Sequence, residues 1–143
     1  MRIIIIGGVA AGAKAAAKSK RLLPDADVHI YTKDTFVSYS SCGLPYYVAG
    51  DFEDWHKLIV RTKEEFEKSG INVHTEHQVT KILPADKKIL VKDLKLGVCN
   101  FVEYDKLIIA TGAAPFIPDI KNTGLKNIFT LRTLEDGINI CLL

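Results

Sequence analysis

The first 33 residues alternate between apolar runs and a stretch of small residues. Residues 2–6, RIIII, give a run of branched apolar side chains after one arginine, which is typical of a parallel strand buried on both faces. The segment GGVAAG follows, and AKAAAKSKRLL after it is rich in helix formers. At about 100° per residue, small side chains share one face of that helix and basic side chains share the opposite face. With DVHIYTK as a second strand, residues 1–33 predict a βαβ unit.

The remainder of the chain is predicted to add an antiparallel layer and one more parallel strand. TKEEFEKSG has the cap and stop residues of a short helix, and INVHTE resembles a strand. Residues from about 77 to 104 alternate and turn as a β-meander does. KLIIATG, residues 106–112, predicts a further buried parallel strand, and no element is evident in the last thirty residues. We therefore expect the α/β class: a Rossmann-like domain, with a parallel sheet and helices, plus a small antiparallel β-meander.

Composition and charge exclude several classes of function. The chain has 143 residues, 48% hydrophobic and 25% charged, which suits one globular domain. Its net charge of +2 is too small to indicate binding to nucleic acid or an anionic membrane. The longest apolar run, residues 3–13, is shorter than the roughly 20 residues of a membrane span. Basic residues soon after it and its paired glycines argue against a signal peptide, so we expect a cytoplasmic protein.

The turn between the first strand and the first helix is a candidate phosphate site. Glycines allow phosphates to approach the backbone, and a helix N-terminus offers free N–H groups and a partial positive charge. The pattern G-x-G-x-x-G is imperfect because Val9 stands at its second glycine. A tight turn that binds nothing is the alternative, but the position inside a βαβ unit favours a nucleotide. The turn consists of Gly7, Gly8, Val9, Ala10, Ala11 and Gly12.

The end of the second predicted strand departs from the usual nucleotide-binding pattern. An acidic residue there commonly holds the ribose hydroxyls. This chain has Thr32, which can hydrogen-bond a hydroxyl without charge, followed by Lys33. We therefore expect weaker binding of an adenosine group at this position.

One cysteine lies in an unusual setting. Cys42 is in SYSSCGLPYY, and no second cysteine lies within ten residues of it. The three cysteines, at 42, 99 and 141, are too far apart in sequence to suggest a disulfide framework, and they are interpreted as thiols. A buried, inert thiol is the default interpretation of a lone cysteine, and Cys99 and Cys141 are assigned it.

Taken together, IIIIGGVAAG, SYSSCGLPYY and KLIIATGAAP resemble the flavoprotein pyridine nucleotide-disulfide oxidoreductases. The likeness is greatest to their single-cysteine branch: coenzyme A-disulfide reductases, NADH oxidases and peroxidases, and persulfide reductases. The motifs occur in the same order and spacing over essentially the whole chain. The resemblance covers only the N-terminal, FAD-binding portion of such enzymes.

The resemblance implies a set of FAD contacts. The turn of residues 7–12 would hold the FAD pyrophosphate, Thr32 and Lys33 would lie near the adenosine ribose, and the backbone around Val79 would lie near the adenine. Ser41 and Cys42 would lie beside the flavin. The remaining expected contacts are Ala110, Thr111, Gly112 and Arg132.

The resemblance also implies a role for Cys42. In the two-cysteine enzymes the redox pair is C-x-x-x-x-C, but Tyr47 stands five residues after Cys42 here. A single redox cysteine must cycle through a mixed disulfide with a small thiol or through a sulfenic acid. Its electrons would come from NAD(P)H through the flavin, and its acceptor would be a small disulfide, a persulfide or oxygen.

Coenzyme A is a candidate substrate. By resemblance, Lys18 and Arg21 would contact its phosphates, with Ser38 and Ser41 near its pantetheine end. A solvated helix face is the alternative interpretation of the basic residues. The sequence does not separate a coenzyme A-disulfide reductase from an NADH oxidase.

Several further expectations concern what the chain lacks. No second glycine-rich turn follows Gly112, so the NADH and dimerisation domains are expected to be absent and this chain to be inactive alone. The full-length enzyme is expected to be a homodimer. We expect no metal site, because His74 and His77 would lie on opposite faces of one strand. Two other hypotheses remain: a non-catalytic adenine-nucleotide or coenzyme A binding module, and a fragment of an NAD-binding dehydrogenase, which the meander and the ATG segment oppose.

Overall fold

The computed structural model describes residues 1–143 and contains seven strands and four α-helices. None of the helices combines the length and the apolar character that crossing a bilayer requires. The strands are β1 (Arg2–Ile6), β2 (Asp27–Tyr31), β3 (Ile71–His74), β4 (His77–Leu83), β5 (Lys88–Asp93), β6 (Cys99–Glu103) and β7 (Lys106–Ile109). The helices are α1 (Ala10–Leu22), α2 (Leu44–Val48), α3 (Lys63–Lys68) and α4 (Leu134–Cys141), with short 3₁₀ turns at Ser41–Gly43 and Trp55–Leu58.

Four strands form a parallel sheet in the order β3-β2-β1-β7. β1 pairs on both sides, and its four isoleucines are all buried, which explains why that strand carries no polar residue after Arg2. On one face, Ile3 and Ile5 pack with Ala13 and Ala16 of α1 and with Phe66 of α3. The sequence therefore correctly predicted the βαβ unit and its small-residue helix face. The predicted burial of β7 is wrong: it is an edge strand that pairs only with β1, and its residues are half-buried or exposed.

The opposite face of the parallel sheet is covered by a second sheet. Strands β4, β5 and β6 are antiparallel and sequential, so they form the expected β-meander. Ile89 and Val91 of β5 are buried against Ile4, Ile6 and Tyr31 of the parallel sheet. The expected fold class, a Rossmann-like parallel sheet with helices plus a small antiparallel meander, is confirmed.

The chain ends in α4, which the sequence patterns did not predict. Thr133 caps the helix: its hydroxyl accepts from the Asp136 N–H at 3.1 Å, and Asp136 accepts in return from the Thr133 N–H at 2.8 Å. Leu134 is fully buried and packs with Leu44 and Tyr47 of α2. This contact fixes α4 beside the cysteine segment.

Three histidines, His29 of β2, His74 of β3 and His77 of β4, lie close together, contrary to the expectation for His74 and His77. A turn with Glu76 at φ +57° separates β3 from β4, and the His74 and His77 rings lie 5.7 Å apart between centroids. The two residues belong to different strands, so strand alternation does not apply. His74 Nε2 is 3.0 Å from His29 Nδ1, and its ring stacks on Tyr31 at 4.4 Å. No group of three or more histidine, cysteine or acidic residues is arranged to hold a metal ion.

The position of His74 predicts a pH dependence of stability. Burial, followed by the charges of His29 and His77, lowers its pKa from 6.5 to about 4. Between those values the unfolded chain binds more protons than the folded chain, so stability is complete above pH 6.5 and falls as the pH decreases toward 4. We expect a loss of about 1–2 kcal/mol between pH 7.5 and pH 5. Urea unfolding at the two pH values measures it, and His74→Gln should remove most of the difference. An unchanged difference in that variant would contradict the assignment.

Candidate functional site

The turn after β1 is pressed against the end of β7. Gly7 has φ +105°, and a Cβ there would lie 2.2 Å from the carbonyl oxygen of Ala110. Ala110 continues the β7 pairing by donating its N–H to the Ile6 carbonyl at 2.8 Å. A side chain at position 7 is therefore excluded by conformation and by space. The contact brings Ala110, the first residue of the ATG segment, to the glycine turn.

The first turn of α1 offers unpaired donors. A Cβ on Gly12 would lie 1.9 Å from the Gly7 carbonyl oxygen, so the helix begins directly against the turn. Val9 precedes the helix with no side-chain cap, and no acidic residue lies in its first turn. The first backbone hydrogen bond into the helix runs from Ala13 N–H to Val9 O at 3.1 Å. The backbone N–H groups of α1 that precede Ala13 have no partner within the helix, and together with the helix dipole they suit an anionic group. The glycines of the turn have no side chains, so such a group has room to approach.

Residues 32–38 line the other side of the glycine turn. The Ser38 N–H donates to the Gly8 carbonyl at 2.8 Å, and a Cβ on Gly8 would lie 3.4 Å from Thr32 Cγ2. Thr32 is buried, with only 4% of its surface exposed, whereas Lys33 is exposed. The two residues predicted to contact a ribose therefore differ in access to solvent, and of the two only Thr32 has a contact with the turn.

Cys42 lies in the 3₁₀ turn that leads into α2, and its side chain is exposed. Its Sγ is 3.2 Å from Ser40 Oγ. A hydroxyl at that distance can donate to a thiolate and stabilise it. Leu44 and Tyr47 of α2, which follow Cys42 in the sequence, are both buried and anchor this segment to the core. The exposed thiol therefore lies next to a well-packed helix. The sequence analysis did not identify Ser40; its position two residues before Cys42 was the available signal.

The two serines predicted as substrate contacts lie in different surroundings. Ser41 is half-buried beside Cys42. Ser38 is buried and has φ +49°, and its carbonyl accepts from Val60 N–H at 2.8 Å and Arg61 N–H at 3.3 Å. These bonds tie the cysteine segment to the chain before α3.

Arg132 lies over the end of β7. Gly112 has φ +69°, and a Cβ there would be 2.8 Å from an Arg132 guanidinium nitrogen. Arg132 Nε donates to the Ala113 carbonyl at 3.0 Å. The structure therefore brings Arg132 together with Gly112, while Thr111 between Ala110 and Gly112 is exposed. Val79 lies on β4 and packs against the cluster that contains Ile6.

A basic pocket of about 400 Å³ opens beside the C-terminal half of α1. Its lining includes Arg21, one of the two basic residues predicted to contact phosphates, together with Lys20, Arg61 and Ser69. Lys18 is exposed on the same helix but does not line the pocket. Lys20 donates to the Ala26 carbonyl at 2.9 Å. The sequence analysis missed Lys20 and Arg61, because the pocket depends on how the segment before α3 folds back onto α1.

Comparisons with known proteins match nearly the whole chain. The family model described as "Pyridine nucleotide-disulphide oxidoreductase" matches residues 1–140. An NADH oxidase of Methanocaldococcus jannaschii is 36% identical over 138 residues, which is 96% of this chain and 31% of that protein. A coenzyme A disulfide reductase of Staphylococcus epidermidis is 34% identical over 136 residues, 94% of this chain and 30% of that protein. The chain thus spans about a third of the length of these relatives.

Solved structures give the same result. The crystal structure of reduced Bacillus anthracis CoADR-RHD matches 97% of this chain and 25% of that chain, with a TM-score of 0.93 and 33% identity. A NAD-dependent persulfide reductase from A. fulgidus matches 99% of this chain and 27% of that chain, with a TM-score of 0.92 and 34% identity. Sequence and structure therefore indicate the same relatives.

Proposed function

The chain belongs to the pyridine nucleotide-disulphide oxidoreductase family, and on that premise we propose that it is the FAD-binding part of an NAD(P)H-dependent oxidoreductase with one redox-active cysteine. The observation that carries the proposal is the connection between two features. The glycine turn, with its free donors, is bonded through Gly8 O and Ser38 N–H to the segment that presents Cys42. This backbone contact joins the proposed phosphate site to the segment with the exposed thiol.

The described residues fit FAD in the following roles. Gly7, Gly8, Val9, Ala10, Ala11 and Gly12 would hold its pyrophosphate through backbone N–H groups. Thr32 and Lys33 would adjoin the adenosine ribose, and the backbone at Val79 would adjoin the adenine. Ala110, Thr111 and Gly112 would lie under the dinucleotide, with the Arg132 guanidinium supplying positive charge. When bound, the flavin would supply two-electron transfer between a nicotinamide and sulfur.

Cys42 is proposed as the nucleophile, with Ser40 as a hydrogen-bond donor to its thiolate. The thiolate attacks one sulfur of a small disulfide, a Cys42–substrate S–S bond forms, and the other half leaves as a thiolate. In this exchange the Cys42 sulfur is oxidised and the departing substrate sulfur is reduced, so the step needs no further reactant. Return of Cys42 to the thiolate takes two electrons and releases the bound half of the substrate as a second thiolate; a bound flavin, reduced by NAD(P)H, would supply those electrons. Ser41 would line the same surface.

The acceptor is proposed to be a coenzyme A disulfide, with oxygen or a persulfide as alternatives. One relative is an NADH oxidase and another is a coenzyme A disulfide reductase. The pocket of Arg21, Lys20 and Arg61 supports the coenzyme A candidate because its phosphates require cations. We propose that Lys18 contacts the phosphates and Ser38 the pantetheine end more weakly than the pocket residues do. We also propose that the whole protein is cytoplasmic and forms a homodimer.

A non-catalytic module that binds coenzyme A or an adenine nucleotide is the second candidate. The basic pocket favours it, since that pocket is formed entirely by this chain. It differs from the first candidate in needing neither a flavin nor a reactive Cys42.

Titration calorimetry of the 143-residue chain with FAD and with FMN tests the proposal. FMN lacks the adenylate half that the glycine turn and the end of β2 would hold. We expect FAD to bind and FMN to bind at least about tenfold more weakly. Coenzyme A binding without FAD binding would favour the second candidate and contradict the first. Equal affinity for the two flavins would contradict the assigned role of the glycine turn.

A further inference from the structure

Thr32 does not offer a free hydroxyl to a ligand. Its Oγ1 donates to Asp34 Oδ2 at 3.3 Å and accepts from the Asp34 N–H at 3.3 Å. Only 4% of the residue is exposed. Its single hydroxyl hydrogen is therefore used inside the loop. In this arrangement Thr32 holds Asp34 and is itself shielded from solvent.

Asp34 is the first acidic residue after β2 in the sequence. Its carbonyl accepts from Glu76 N–H at 3.2 Å, and the next residue, Thr35, donates its N–H to Glu135 Oε1 at 2.9 Å. These bonds fix the loop on both sides of the aspartate. Asp34 Oδ2 accepts from Thr32, whereas Oδ1 accepts from no protein donor and is not enclosed by the protein. A half-buried carboxylate thus presents one oxygen for a further donor.

The surroundings of Asp34 are electrostatically unfavourable for its carboxylate. Burial, and after it the negative charge of Glu135, raises the pKa of Asp34, and the cations Lys33 and Arg132 oppose that effect only in part. Glu135 itself has one buried oxygen, Oε2, with no partner. A ligand that donates hydroxyl hydrogens would therefore relieve an unfavourable arrangement of carboxylates.

We propose that Asp34, and not residue 32, is the acidic residue that accepts the ribose hydroxyls of the adenosine group. The inference rests on the proposed function, because it places an adenosine phosphate on the glycine turn. Asp34 is suitably placed for this role: Thr32, which holds it, adjoins Gly8, and Gly8 belongs to the turn that offers donors to the phosphates. Thr32 is a positioning residue for Asp34. Nucleotide folds of this kind generally use an acid at the end of the second strand, and here the acid stands two residues later.

Calorimetry with adenosine diphosphate and its 2′,3′-dideoxy analogue tests the proposal. The two probes share adenine and phosphates and differ only in the ribose hydroxyls. Asp34→Asn keeps the acceptor for Thr32 and removes the charge. We expect this variant to bind adenosine diphosphate about 10-fold more weakly than the unmodified chain, and to bind the dideoxy analogue within about twofold of it. Asp86→Asn, in the exposed β4–β5 turn, is the matched control and should change neither affinity.

The outcomes separate this inference from the proposed function. Binding of adenosine diphosphate that Asp34→Asn leaves unchanged would overturn the role of Asp34 and leave the nucleotide site standing. Equal losses for both probes would also overturn it, since the effect would not depend on the hydroxyls. If the unmodified chain binds neither probe, the nucleotide site itself is wrong, and both proposals fall.

Discussion

Gly12→Ala is expected to lower the free energy of unfolding by about 3 kcal/mol or more, although alanine is intrinsically the better helix former by roughly 1 kcal/mol. The added methyl would lie 1.9 Å from the Gly7 carbonyl oxygen, 2.9 Å from its carbon and 3.2 Å from Ile5 Cγ2. Neither neighbour can move away easily, because Gly7 already contacts the Ala110 carbonyl and Ile5 is fully buried. Steric overlap therefore outweighs propensity, and α1 must separate from the turn.

Urea unfolding followed by circular dichroism measures this effect. Gly124→Ala is the matched control because no atom lies within 4 Å of its added methyl and its φ is ordinary. We expect the control to stay within about 0.5 kcal/mol of the unmodified chain. A Gly12→Ala variant as stable as that control would contradict the close contact between α1 and the turn. The same variant should lose FAD binding, since the helix donors would no longer face the turn.

Local periodicity was sufficient to predict most of the fold. The isoleucines of β1 and the alternation of residues 77–104 specify their elements without reference to distant residues. α4 was missed because it is short and contains Gly137, which by itself suggests an interruption. The structure explains that glycine: a Cβ there would lie 3.2 Å from Leu44 and 3.5 Å from Tyr47, so α2 requires a small residue. This constraint comes from tertiary packing and leaves little trace in sequence.

The site was less predictable than the fold. The glycine turn and Cys42 follow from motifs of contiguous residues. Asp34, Ser40 and Arg61 were not identified, because the roles proposed for them depend on loop geometry. Ser38 with φ +49°, for example, turns the chain so that its carbonyl meets the segment before α3. Such a conformation is uncommon for a residue other than glycine and has no simple sequence signal.

Cys42→Ser is expected to abolish mixed-disulfide formation at the proposed site. All three thiols are exposed, so the buried state expected of Cys99 and Cys141 is wrong and access alone does not distinguish the three. Cys42 differs in its setting: its Sγ lies 3.2 Å from Ser40 Oγ, in the 3₁₀ turn that leads into α2. We expect Cys42 to react with coenzyme A disulfide about tenfold faster than Cys99 or Cys141, and the serine variant to lose that fast phase.

Stopped-flow release of coenzyme A, with peptide mass spectrometry of the product, measures the reaction. Cys99→Ser and Cys141→Ser are the matched controls and should keep the fast phase. Because Cys42 is exposed, Cys42→Ser should leave the stability within about 0.5 kcal/mol of the unmodified chain. A fast phase that survives in Cys42→Ser, or that disappears in either control, would assign the reactive thiol elsewhere.

The central claim is that the glycine turn and Cys42 belong to one flavin site, and one measurement tests it most directly. The alkylation rates of the three cysteines are measured peptide by peptide, with and without saturating FAD. We predict that FAD slows alkylation of Cys42 by at least about tenfold and leaves Cys99 and Cys141 within about twofold of their rates without it. Bound FAD that leaves the rate at Cys42 unchanged would separate the two features and contradict the claim.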